Sequence, residues 1–178
     1  MQFNTTIIII PGLGGSGPQH WQTLWEKQFN FARVEQNDWE TPVCADWVEN
    51  INNEVKKHKP ADVILICHSL ACNTMAYWAQ KYKVPIKAAL LVAPADTEAD
   101  SYPPGTKGFT PMVLNKLPFK TITVASTNDF YVTLDRAELF ARSWGSELIN
   151  VGEAGHINVD SGYGKWDVGL EILKRLDT

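Results

Sequence analysis

Apolar residues in this chain fall into six short, β-branched runs, at Thr6 to Ile10, Ala32 to Glu35, Asp62 to Cys67, Ala88 to Ala93, Thr121 to Ala125 and Glu147 to Val151. Several are apolar throughout instead of alternating with polar residues, the pattern of strands in a parallel sheet covered on both faces. Between them, apolar positions recur at helical spacing over His20 to Asn30, Ala45 to Lys57, Leu70 to Tyr82, Leu134 to Ser143 and Lys165 to Leu176. In the first of these, Trp21 and Trp25 stand four apart and share a face. Strands alternating with helices predict an α/β sheet with right-handed crossovers. No repeat, low-complexity segment or linker interrupts the pattern, so residues 1–178 are expected to form a single α/β domain. One connection is long and irregular: Pro94 to Lys120, with five prolines. A connection of that length inside one domain usually serves the site.

Composition removes whole classes of function. With 44% hydrophobic and 20% charged residues and a net charge of −4, the chain is globular and offers no basic surface, which argues against nucleic acid or anionic membranes as partners. The opening MQFNTTIIIIPGLGG has no basic leader and an apolar run of four residues, so neither a signal peptide nor a membrane span is expected and the location read from it is cytoplasmic. Cys44, Cys67 and Cys72 are odd in number and lack zinc-like spacing, as for reduced thiols of a cytosolic protein.

Chemistry concentrates at VILICHSLACN, Val63 to Asn73, where a buried strand ends on His68 and Ser69 and turns directly into a helix. A nucleophilic serine on such a turn is framed G-x-S-x-G, small residues letting strand and helix approach. Here the frame is Cys67-His68-Ser69-Leu70-Ala71, with both glycines replaced. The competing reading is that Ser69 only caps the following helix. A nucleophile needs a base and the base an acid, in the order Ser, Asp, His. Of the four histidines, His58 lies in the solvated KKHKP, His68 should point away from the serine, and His20 opens the first helix beside a glycine-rich loop where it would line a site. His156, in GEAGHINVD after the last strand, fits the base. Asp129 in ASTNDFYV is the favoured acid, and Asp96, after the fourth strand, is its rival. An oxyanion hole needs two backbone N–H donors. Leu70 follows the nucleophile, and Leu13 lies in PGLGGSGPQHW, where Gly12 lets backbone approach a ligand closely. That loop does not fit G-x-G-x-x-G in register, which argues against a dinucleotide site.

The segments IIIIPGLGGSGPQHWQTLWE, CHSLAC, STNDFYV and AGHIN together resemble the small serine hydrolases related to retinoblastoma-binding protein nine, and the resemblance spans essentially the whole chain. Its most distinctive element is His20-Trp21 followed by Trp25. The resemblance implies a compact α/β-hydrolase fold of six parallel strands with helices on both faces and no full cap domain. It also implies a Ser69-Asp129-His156 triad and neither metal nor organic cofactor. The sequence departs from that family at Cys67 and Ala71, where glycines are usual. The expected chemistry is acyl transfer from a small ester or amide to water, with Gly12, His20, Tyr102, Phe109 and Met112 (and Leu114) around the acyl group. A weakly catalytic protein-binding module is the alternative, as the name of that relative suggests.

Overall fold

The four isoleucines of the first run set the layering. Along a strand, side chains alternate between faces. In β1 (Thr6–Ile10), Ile7 and Ile9 therefore enter one core and Ile8 and Ile10 another. The computed structural model, which describes residues 2–178, repeats this division across the sheet. Strands β2 (Ala32–Arg33), β3 (Val63–His68), β4 (Ala88–Val92), β5 (Lys120–Ala125) and β6 (Glu147–Asn150) join β1 in the order β2-β1-β3-β4-β5-β6, and every pairing is parallel. Helices α1 (Trp21–Phe29) and α5 (Asp167–Asp177) supply the core with Ile7 and Ile9, where the Trp21 and Trp25 rings lie 4.6 Å apart and both meet Trp166. Helices α2 (Cys44–Val55), α3 (Leu70–Tyr82) and α4 (Leu134–Trp144) supply the other, around Trp47, Met75 and Phe140.

All six strands and all five helices occur where the periodicity predicts them, and the differences lie at the ends. The second strand contracts to Ala32 and Arg33, the two residues that pair with Ile8 and Ile9 of β1. The fourth, expected to run to Ala93, ends at Val92, where Ala93 takes a positive φ of 48°. Asp62 belongs to a short 3-10 turn, Pro60–Asp62, and the strand after it runs one residue further than expected, to His68. Helix α5 starts at Asp167, after Trp166.

Strand order reverses between β1 and β3, which places the loops after their C-terminal ends side by side. The long connection brings Tyr102 and Pro103 to the cleft beside those loops and then turns away. From residue 106 on it is fastened along the α2–α3–α4 face: Cys44 N–H donates to the Lys107 carbonyl (2.8 Å), Trp144 Nε1–H to Val113 (2.8 Å) and Leu117 N–H to Trp144 (3.0 Å). Phe109 (2% exposed) and Met112 (7% exposed) are buried in that core, Phe109 edge-on to Trp47. No helix of the described residues is long and apolar enough to cross a membrane.

Candidate active site

At Ser69 the chain must leave β3 and enter α3 with no intervening residue, and it does so at φ 57°, ψ −124°. A side chain in that conformation costs about 1–3 kcal/mol, so surrounding structure must hold it. Ser69 N–H donates to the Val92 carbonyl (3.0 Å), and the small Ala71 and Cys67 on either side are fully buried. From the first loop Gly12 comes so close that a Cβ there would lie 2.8 Å from both the His68 oxygen and Ser69 Cβ. Ser69 makes no side-chain cap bond to α3, which removes the capping explanation.

Its Oγ instead lies 2.8 Å from His156 Nε2, and His156 Nδ1 lies 2.9 and 2.8 Å from the two carboxylate oxygens of Asp129. A carboxylate on Nδ1 keeps the proton there and leaves Nε2 free to accept from the serine hydroxyl. The Asp129 side chain is fully buried, and one of its oxygens also accepts the Tyr131 N–H at 2.8 Å. Asp96, the rival acid, is engaged elsewhere. Arg136 grips both its oxygens at 2.7 and 2.9 Å and also reaches Glu98, tying the start of the long connection to α4.

Four neighbours that hold His156 carried no signal strong enough to be singled out. Ser126 Oγ accepts the Ala154 N–H (2.9 Å) and Asn128 Oδ1 the Gly155 N–H (2.7 Å), so the residues before Asp129 clasp the loop that carries His156. Ser161 Oγ accepts the His156 N–H (3.0 Å). The fourth is Tyr131, whose ring packs 4.6 Å from that of His156. His68 departs from its expectation. Its ring borders the cleft 4.9 Å from His156, and Nε2–H donates to the His156 carbonyl at 2.9 Å. Burial, with smaller contributions from His156 and His20, holds its pKa well below the usual value, so it is a neutral strut.

The cleft above Ser69 encloses about 160 Å³. Gly12, Leu13, His20 and Tyr102 line it as expected, with Tyr131 and Asn158 in addition. Phe109 and Met112 do not reach it, nor does Leu114, because the connection that carries them is fastened to the α2–α3–α4 face. A larger apolar hollow of about 500 Å³ between α2 and α3 shares no residue with the cleft. The backbone N–H groups of Leu13 and Leu70 make no backbone hydrogen bond among the described residues. Burial pushes the thiol of Cys44 up to about 12 and that of Cys67 well above its usual value, which leaves both inert as nucleophiles. The described residues contain no group of three or more His, Cys, Asp or Glu able to hold a metal ion.

A family model for serine hydrolases matches residues 7–175. The chain belongs to the serine hydrolase family. A YdeN-like hydrolase of Pectobacterium atrosepticum is 34% identical with a TM-score of 0.84, over 97% of this chain and 90% of that one. The ydeN product of Bacillus subtilis shares the fold at 18% identity and TM-score 0.82, over 97% and 98% of the two chains. Est1E of Butyrivibrio proteoclasticus does so at 15% identity and TM-score 0.65, over 96% and 84%. No curated protein matches the chain. This serine hydrolase is therefore an enzyme of the α/β class.

Proposed function

We propose that this serine hydrolase cleaves small carboxylic esters through an acyl-enzyme formed on Ser69. The observation that carries the reading is the unbroken line from Ser69 Oγ to His156 Nε2 (2.8 Å) and from His156 Nδ1 to Asp129 (2.8 Å). His156 takes the hydroxyl proton as Ser69 Oγ attacks the carbonyl carbon, and the carbonyl π pair moves onto oxygen. The N–H groups of Leu13 and Leu70 are the donors for that oxyanion. When the carbonyl reforms, the C–O bond to the alcohol breaks and His156 returns the proton to the leaving oxygen. Water then repeats the sequence on the acyl-enzyme and frees Ser69. The modest volume of the cleft, about 160 Å³, supports short acyl chains.

A fluorophosphonate reagent tests the nucleophile. The wild-type protein gains one adduct by intact mass, and Ser69→Ala gains none. A folded wild-type protein that stays unlabelled would shift the reading to a binding module. With p-nitrophenyl esters, kcat/KM falls as the chain lengthens from acetate, and a steady rise toward palmitate would contradict the short-chain reading.

A further inference from the structure

Two residues that line the Ser69 cleft each carry a buried polar atom with no partner among the described residues. His20 is 6% exposed and caps α1, its Nδ1 accepting the Gln22 N–H at 3.2 Å. A ring nitrogen that accepts carries no proton, so the neutral ring bears its proton on Nε2, at the far edge. That Nε2 is buried and unpartnered. Burial, helped by His156 and Arg33, lowers the His20 pKa to about 4 and keeps the ring neutral. Tyr102, brought by the long connection, presents a hydroxyl that is also buried and unpartnered. Burial raises its pKa, so it stays a phenol and a donor. Buried donors in native proteins nearly always find acceptors, and two carried by residues that line one reactive cleft point to an occupant that supplies them. The residues lining that cleft include no Asp, Glu, Lys or Arg.

We propose that His20 Nε2–H and the Tyr102 hydroxyl determine specificity by binding an oxygen of the acyl group other than the scissile carbonyl. The preferred substrates are then esters of short, uncharged hydroxy- or alkoxy-acids. The acyl side is assigned because a leaving alcohol must keep a path to solvent, while buried donors touch the part that stays enclosed. The proposal rests on Ser69 as the nucleophile. A site built to hydrogen-bond a substrate oxygen rejects the analogue that lacks it, since its donors are then left unpaired.

Methoxyacetyl and butyryl p-nitrophenyl esters differ by one ether oxygen in place of a methylene and form the test pair. In His20→Ser, where serine still caps α1, and in Tyr102→Phe, the ratio of kcat/KM for methoxyacetate over butyrate falls about five- to tenfold from wild type. Taking the ratio between variant and wild type cancels the intrinsic reactivities. An equal fall for both esters would overturn the proposal and leave His20 a purely structural residue. Ring ¹⁵N spectra give a second readout that needs no turnover. At neutral pH His20 carries its proton on Nε2, and in Ser69→Ala that resonance moves on adding methyl methoxyacetate more than on adding methyl butyrate. A proton on Nδ1, or equal responses to the two esters, overturns it. A wild-type protein that hydrolyses neither ester sinks the nucleophile reading instead, and the ring titration still decides this one.

Discussion

Single atoms set the conditions for chemistry at this site. In the proposed mechanism Asp129 acts through the imidazole, and losing that carboxylate cost about 10⁴ in turnover in a serine protease. Asp129→Asn is therefore expected to lower kcat by a factor on the order of 10³ with folding intact. Asp96→Asn, which weakens the grip of Arg136, should lower the melting temperature while kcat falls less than about tenfold. Steady-state rates and thermal melts on the two variants check both, and the reverse ranking would move the acid to Asp96. Gly12 is the other sensitive position. Alanine there would put a Cβ 2.8 Å from the His68 oxygen and from Ser69 Cβ, and backbone cannot yield to it as a flexible side chain would. Misplacing a nucleophile by about 1 Å can cost on the order of 100-fold. Gly12→Ala should show that loss in kcat/KM, and near-wild-type rates would mean that the two loops separate freely. The glycine was legible as a close-approach residue. What it approaches was not, because that neighbour lies 57 residues away in sequence and only the β1–β3 pairing brings the two together.

At the scale of elements, strands buried on both faces and helices with one apolar face announce themselves through their period, so the α/β class and the order of elements could be read directly. The positions of the three residues proposed as a triad could be read from which runs are strands, since Ser69, Asp129 and His156 come after β3, β5 and β6. The long connection was the opaque part. Its apolar residues have no period to say which surface they cover. Phe109 and Met112 therefore looked like walls of a pocket, whereas hydrogen bonds from α2 and α4 bind their segment to the core. His68 was opaque for a related reason: strand alternation gives a direction, and its partner, the His156 carbonyl, lies on a loop 88 residues on. Cys67 tests the elbow as an element. Its side chain fills the α2–α3–α4 core, so Cys67→Gly should destabilise by about 1–2 kcal/mol through a lost contact and a looser strand. The position needs smallness and not a thiol, so kcat should be retained. A folded but inactive glycine variant would reveal a chemical role for the thiol.

Across the whole molecule, the buried histidines couple stability to acidity. The folded pKa of His20 is about 4, below its ordinary 6.5, and burial holds that of His68 well below its ordinary value as well. Between these values the unfolded chain binds more protons than the folded one, so stability is full above pH 6.5 and declines as the pH falls toward 4. Thermal melts from pH 7 to 4.5 should trace this loss, and the slope should be shallower in His20→Ser. Equal slopes would mean that His20 titrates alike folded and unfolded.

Burying β1 on both faces and between two neighbours also shapes how the chain folds. A nascent or refolding segment that ends before Val63 presents the run Ile7 to Ile10 with no strand to pair against on its β3 side. Until β3 arrives, that run is an uncharged, β-prone stretch open to other copies of itself. The pairing of β1 with the strand that leads into Ser69 thus predicts that recovery from denaturant depends on protein concentration, with dilution favouring the native fold over aggregates.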